Sequence, residues 1–241
     1  MSAAPLRGAM LLAAGKGERL RPLTESRPKP LIEVAGRALI DHALDRLVEA
    51  GIGRVVVNSH YRADQLEAHL ADRDDIEIAI SREESLLDTG GGVCNALALL
   101  GEGPFLVANT DVLWLDGPEN TLARLAAAWR DETTDALLLM HEMVRAGQFE
   151  GKGDFLLDAA GIARRRAWHE VAPFLFSGVQ ILHSRLFEAA PAGAFSLNRL
   201  FDSAGDAMRL HGMVHDGLWL HVGTPEGLAV ADKFLREGRG G

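Results

Sequence analysis

The residues best suited to chemistry gather just after one short apolar run near the amino terminus. Ala9-Met10-Leu11-Leu12 leads into Ala13-Ala14-Gly15-Lys16-Gly17-Glu18-Arg19-Leu20-Arg21-Pro22-Leu23-Thr24, and Arg27-Pro28-Lys29-Pro30-Leu31 closes the stretch. Glycine lets a backbone bend sharply and present bare N–H groups, which bind anionic oxygens. Arginine adds a planar fork for phosphate and lysine a compact point charge. Ala13, Ala14, Gly15, Lys16 and Gly17, with Arg19 and Lys29, are therefore candidates for holding a polyphosphate. Two common phosphate loops do not fit: Leu20 stands where G-x-G-x-x-G needs its third glycine, and G-x-x-x-x-G-K-[ST] is absent.

Other groups fall at places where ligands bind. Asp111 follows the apolar run Phe105-Leu106-Val107-Ala108 through Asn109-Thr110. A carboxylate at a strand end near a polyphosphate suits Mg²⁺, which takes hard oxygen donors; the same position also suits a turn or helix-capping aspartate. Leu87-Asp88-Thr89-Gly90-Gly91-Gly92 reads as a second glycine loop ahead of a helix, and also as a plain turn. Asp154, in Gly151-Lys152-Gly153-Asp154 ahead of a strand, is a candidate acceptor of hydrogen bonds from ligand hydroxyls or a turn residue. The polar run Asn58-Ser59-His60-Tyr61 is most simply a strand end.

The elements that must carry these groups alternate. Leu39, Ile40, Ala43, Leu44, Leu47 and Val48 form one helical stripe over 39–50, and Val55-Val56-Val57 is a buried strand. A short helix over 63–70, a period-two strand over Ile76–Ile80, a helix over 92–100 and a strand over 105–108 follow. This alternation predicts parallel βαβ units, an α/β doubly wound, mostly parallel sheet. Further on, helix 121–130, strand 137–140, hairpin pieces 155–157 and 162–166, and strand 174–182 are expected. Helices at 184–190 and 197–207 precede strands at 208–215 and 218–222, which flank the hairpin-like turn Asp216-Gly217. Thr224-Pro225-Glu226 reads as a helix start. At 241 residues, a single domain 1–241 is expected, with one half over about 1–115 and a smaller β lobe over about 116–241.

Composition narrows the class. A net charge of −9 argues against a nucleic-acid surface, and no apolar run approaches the ~20 residues of a membrane span. The single Cys94 cannot form an internal disulfide, so a reducing cytoplasm is expected, with Cys94 as a small core residue. No H-E-x-x-H spacing marks a zinc protease and no G-x-S-x-G elbow marks a serine hydrolase.

The pattern G-x-G-x-R-L-x-P-L-T…P-K-P-L, as it stands over Gly15–Leu31, resembles the signature of the sugar-1-phosphate nucleotidyltransferases. That resemblance implies the reaction NTP + sugar 1-phosphate → NDP-sugar + pyrophosphate, with Mg²⁺ as cofactor, in a monomer or small homo-oligomer. It implies that Arg19 meets the leaving pyrophosphate, that Lys29 bridges the reacting phosphates and that Asp111 ligates the metal. It places Thr89, Gly90 and Asn109 on the nucleotide, and Asp154, Ser177 and Gly178 on the sugar. Trp219-Leu220-His221-Val222-Gly223-Thr224-Pro225 resembles the family's W-x-D-x-G-T-P element, but His221 occupies the position of a metal aspartate. Imidazole suits zinc or manganese better than magnesium. Asp-Thr-Gly-Gly-Gly and Gly-Lys-Gly-Asp-Phe resemble members acting with UTP on N-acetylmuramate 1-phosphate. Mannose-1-phosphate guanylyl transfer, glucose-1-phosphate uridylyl or thymidylyl transfer, and a non-catalytic nucleotide-sugar sensor are the alternatives.

Overall fold

The computed structural model describes residues 6, 8–147 and 151–238. In chain order the elements are β1 (Ala9–Leu12), α1 (Leu23–Ser26), β2 (Glu33–Val34), β3 (Arg37–Ala38), α2 (Leu39–Glu49), β4 (Arg54–Ser59) and α3 (Ala63–Ala71). Next come β5 (Glu77–Arg82), α4 (Asp88–Leu100), β6 (Pro104–Asn109), β7 (Val112–Leu115), α5 (Thr121–Ala128) and β8 (Ala136–Glu142). The chain ends with β9 (Phe155–Leu157), β10 (Ala163–Arg165), β11 (Phe174–His183), α6 (Asn198–Asp206), β12 (Leu210–Val214), β13 (Leu218–His221) and α7 (Pro225–Glu237).

Nine strands make one sheet. Its path is β10-β9-β11-β6-β1-β4-β5, with β8 on the other side of β11 and β12 beyond β8. The centre is parallel: β1 lies between β4 and β6, and β4 pairs with β5. β11 inserts antiparallel between β6 and β8, and its register shifts between Phe176 and Gln180. Alternate residues of the central strands enter two cores. Ala9, Leu11, Val55, Val57, Leu106 and Ala108 meet Ile40, Leu44, Leu47 and Leu66 of α2 and α3 on one face. Met10, Val56, Phe105 and Val107 meet Val93 and Ala96 of α4 and Phe201 of α6 on the other. Burial on both faces explains why these strands read as continuous apolar runs. The parallel strands β1, β4 and β6 all end at one edge, where open α/β sheets bind ligands.

Four expectations are corrected. The Thr-Gly-Gly-Gly segment is not a loop before a helix; α4 already starts at Asp88 and buries Gly90, Gly91 and Gly92. The glycines permit contact that side chains would block: a Cβ on Gly91 would stand 2.5 Å from the Gly193 carbonyl oxygen, and one on Gly90 would enter the Phe195 ring. The strands around Asp216-Gly217 do not pair with each other. β12 extends the main sheet beside β8, whereas β13 pairs with β7 in a separate ribbon, and Arg124 holds Asp216 at 2.5 Å in the turn. The helix expected at 184–190 is one 3-10 turn, Ser184–Phe187, cut short ahead of Pro191. At the edge strand β5 the expected alternation holds only at its start: Ile76, just ahead of it, is buried and Glu77 exposed, but Ile78, Ala79 and Ile80 are all half-buried and Ser81 is buried. Thr224 does cap α7, accepting the Gly227 N–H at 3.1 Å, and Cys94 is a half-buried residue packed beside the second core.

Candidate active site

The loop that leaves β1 is held from below by side chains of β4 and the segment after β5. Asn58 Oδ1 accepts the Ala13 N–H at 2.6 Å, and Asn58 Nδ2 donates to Glu83 Oε1 at 2.7 Å. Glu83 Oε2 in turn accepts the Leu87 N–H at 3.0 Å, at the threshold of α4. Asn58 and Glu83 are both buried, so this chain of bonds is shielded from competing water and rigidifies the loop. Gly92 is glycine for this reason: a Cβ there would lie 2.8 Å from Glu83 Oε1 and 2.9 Å from Asn58 Nδ2.

The cationic loop is folded against itself. Gly17 has φ +65°, a left-handed conformation, and any Cβ would stand 2.8 Å from Thr24 Cγ2 and 2.9 Å from Lys29 Cβ. Thr24 Oγ1 donates to the Gly17 carbonyl at 3.0 Å, and buried Leu20 anchors the 3-10 turn Glu18–Leu20. The next 3-10 turn, Lys29–Leu31, sends Lys29 toward the sheet edge, where its Nζ donates to Asp111 Oδ2 at 2.6 Å.

His221 reaches the same place through backbone pairing. β7 starts one residue after Asp111, β13 ends at His221, and their antiparallel register sets His221 opposite Val112. The Val222 N–H closes the end of this ribbon on the Asp111 carbonyl at 2.9 Å. His221 Nε2 then lies 3.9 Å from Asp111 Oδ2. Arg19 converges as well, because a Cβ on Gly223 would run into both His221 and, at 3.0 Å, Arg19 Nη2.

Burial alone would push the Asp111 carboxyl up; Lys29, His221 and Arg19 outweigh it and hold the group below the usual carboxylate range. Burial pushes His221 below the ordinary imidazole value, with Asp111 opposing and the Lys29 and Arg19 cations reinforcing. The site thus presents an ionised carboxylate beside a neutral imidazole. Among the described residues no group of three or more His, Cys, Asp or Glu side chains could hold a metal ion. Asp111 and His221 offer two donors only, which suits a divalent ion that fills its remaining positions with phosphate oxygens and water. The carboxylate fits Mg²⁺; the nitrogen is the better match for manganese or zinc.

A cavity of ≈ 390 Å³ opens over this edge. Ala13, Ala14, Gly15, Lys29, Thr89, Asn109 and Asp111 all line it, so seven of the expected residues meet in one place. Asn58, Glu83, Leu86 and Asp88 line it too. Glu83 is not marked out in the sequence, because nothing in Ser81-Arg82-Glu83-Glu84-Ser85 distinguishes one acid from the next. The only available trace was Gly92, whose bareness serves the carboxylate beneath it. A second cleft of ≈ 600 Å³, lined by Arg27, Arg37, Asp41 and His69, is electrostatically closed: Arg27 pairs with Glu33, Arg37 with Asp45 and His69 with Asp41.

The remaining expected residues lie around the cavity. Lys16 and Gly17 belong to the loop beyond Gly15, Lys16 exposed and Gly17 in the turn just described. Gly90 packs under Phe195, whose carbonyl accepts its N–H at 2.8 Å, and Thr89 Oγ1 accepts the Leu197 N–H at 3.0 Å. Ser177 is fully buried; its carbonyl takes the Trp219 indole N–H at 2.9 Å. Gly178, at φ +88°, comes so close to Asn109 that a Cβ would lie 3.1 Å from its Nδ2. Asp154 Oδ2 accepts the Phe176 N–H at 3.0 Å, which ties it to β11 at the bulge.

The chain resembles known proteins in both sequence and structure. The family described as Nucleotidyl transferase matches residues 8–148. The chain is 45% identical, over 98% of its length and 100% of the relative's, to the N-acetylmuramate alpha-1-phosphate uridylyltransferase of Caulobacter vibrioides. It is 39% identical to the protein of that name from Neisseria meningitidis, over 90% of this chain and 93% of the relative. In structure it resembles a UDP-glucose pyrophosphorylase complexed with UDP-glucose, with a TM-score of 0.81 over 97% of this chain and 99% of the other, at 16% identity. A loop rich in glycine and cations, a strand-end carboxylate and a match across more than half of its length lead to one conclusion: the chain belongs to the nucleotidyltransferase family.

Proposed function

We propose that the chain transfers a uridylyl group from UTP to N-acetylmuramate 1-phosphate, releasing pyrophosphate. The observation that carries this is the Lys29–Asp111 contact of 2.6 Å in the wall of a cavity that Ala13, Ala14 and Gly15 also line, in a chain whose full-length relatives carry that activity in their names. A sugar-phosphate oxygen attacks the α-phosphorus, the bond from that phosphorus to the β-phosphate oxygen breaks, and pyrophosphate departs. The nucleophile is already an anion, so no strong general base is needed, and catalysis is positioning plus charge neutralisation.

The N–H groups of Ala14 and Gly15 face the triphosphate, with the Ala13 N–H held by Asn58, and Arg19 takes the leaving pyrophosphate. Lys29 shares its ammonium between Asp111 and the two reacting phosphates, drawing them together. Thr89, Gly90 and Asn109 bound the nucleoside, and Asp154, Ser177 and Gly178 bound the sugar, so residues 1–115 serve the nucleotide and 116–241 the acceptor. Asp111, with His221 beside it, would hold Mg²⁺ or Mn²⁺, which supplies charge neutralisation on the phosphates when bound.

The test is pyrophosphate release with a panel of nucleoside triphosphates and sugar 1-phosphates, in Mg²⁺ and in Mn²⁺. UTP with N-acetylmuramate 1-phosphate should give the highest kcat/KM, and chelation should abolish it until a divalent ion is restored. A higher value for GTP with mannose 1-phosphate would replace the substrates and keep the reaction. Binding without turnover for every pair, in both metals, would make the protein a sensor.

A further inference from the structure

N-acetylmuramate differs from N-acetylglucosamine by an acidic substituent on the sugar. A protein of net charge −9, with Glu83, Asp88 and Asp111 lining its cavity, repels that carboxylate unless a cation without an internal partner meets it. The segment 142–172, which leads into and out of the β9–β10 hairpin, holds five cations, and most are already spent. Arg145 pairs with Glu142 at 3.8 Å, Arg164 pairs with both oxygens of Glu170, and Arg165 pairs with Asp202. Two cations of this segment have no carboxylate partner among the described residues: Lys152, which is exposed, and Arg166.

Arg166 is built into its place. Its Nε donates to the Gly153 carbonyl at 2.6 Å, and its Nη1 lies 3.1, 3.3 and 3.4 Å from the carbonyls of Ala167, Trp168 and Glu170. These neutral acceptors fix the plane of the guanidinium without cancelling its charge. Nη2, with two of the five guanidinium donors, bonds to no described protein group. The main-chain N–H of Arg166 donates to the Asp154 carbonyl at 2.9 Å, and Asp154 in turn bonds Phe176. Phe176 stands two residues, ~7 Å of strand, from the Gly178 that abuts Asn109 in the cavity wall. Arg166, and Lys152 beside Gly153, are therefore linked through Asp154, Phe176 and Gly178 to the Asn109 wall of the cavity.

We propose that Lys152 and Arg166 seat the carboxylate of the acceptor sugar, so that the chain selects an acidic hexose 1-phosphate over its neutral counterpart. This rests on the uridylyl-transfer reading above. A fixed guanidinium with a spare nitrogen gives direction, and a mobile ammonium completes the charge. Arg199 also lacks an ion pair among the described residues, but it sits exposed on the first turn of α6, and no described group hydrogen-bonds its side chain to orient it.

The test compares kcat/KM, with UTP, for N-acetylmuramate 1-phosphate, its carboxamide and N-acetylglucosamine 1-phosphate. The acid should exceed both neutral sugars by about 10- to 100-fold, the scale of losing hydrogen bonds to a charged group. Lys152→Ala and Arg166→Gln should each lower the acid-to-neutral ratio by about 10-fold; taking the ratio on one preparation cancels any loss of folded protein. Equal use of acid and carboxamide by the unaltered chain overturns the seat while leaving uridylyl transfer intact. So does a ratio unchanged in both variants, or one lost only in Arg199→Ala. Absence of turnover with every pair overturns the transfer reading itself, and the seat with it.

Discussion

At the scale of single residues, the decisive contact is one ammonium hydrogen and one carboxylate oxygen. Lys29 and Asp111 are 82 positions apart, mostly buried, and joined at 2.6 Å. The Lys29 ammonium keeps the Asp111 carboxylate ionised where burial would favour its neutral form, which leaves a charge pair poised for phosphate and for a divalent ion. Asp111→Asn keeps the shape and removes the charge, and Lys29→Met keeps the stem and removes the ammonium. Each should lower kcat by about 10²–10³, the cost of removing one preorganised charge partner. Rapid-quench measurement of the first turnover is the check, and a loss under 10-fold for either would remove that residue from the reaction. Both were legible in the sequence because their neighbours are distinctive: two prolines around Lys29, and an apolar strand just ahead of Asp111. Glu83 was not, since its importance lies in what it touches, Asn58 and the Leu87 N–H, and those contacts have no trace in local residue order.

At the scale of elements, close approach matters more than propensity. Three consecutive glycines should weaken a helix, each by ~1 kcal/mol relative to alanine, and local reasoning accordingly read them as a loop. They sit inside α4 because three different neighbours press on its first turns: Phe195 at Gly90, the Gly193 backbone at Gly91, and the Asn58–Glu83 pair at Gly92. Gly91→Ala separates the two effects. Propensity predicts a more stable protein; the contact with a carbonyl oxygen, which has no flexible end to swing away, predicts destabilisation by ~1–3 kcal/mol. Urea unfolding decides, and a midpoint above that of the unaltered chain would refute the packing account. The same lesson holds for β12 and β13. Asp216-Gly217 does turn the chain, but which strands pair was settled by the distant partners β8 and β7, which no hairpin rule can see. The elements with strong two-sided or amphipathic patterns, β1, β4, β6 and α2, were legible because each one's own residues determine what it buries.

At the scale of the whole molecule, histidines taken into the core link stability to pH. His141 and His215 are almost wholly buried, 6.0 Å apart between ring centroids, and His141 lies 5.7 Å from the ring of Trp219. Burial holds both below the ordinary 6.5, against smaller opposing effects from the backbones of Arg145 and Leu218. The unfolded chain therefore takes up protons near pH 6.5 that the native state refuses until the pH falls further. Stability must decline as pH drops below ~6.5, by up to ~1.4 kcal/mol per pH unit for each such group, and level off above ~7, where both states are neutral. Asp111 and Asp135, whose carboxyl groups are held low, withdraw their own contributions only at more acidic pH, below the ordinary 3.8. The two contributions therefore act in separate windows. Urea midpoints measured between pH 8 and pH 5 should show the decline, and His141→Leu should flatten it by one group's share while leaving the more acidic limb unchanged. A profile that stays level from pH 7 to pH 5 would mean that the imidazoles accept protons in the folded core as readily as in water, and that the interior around Trp219 is wetter than its packing implies.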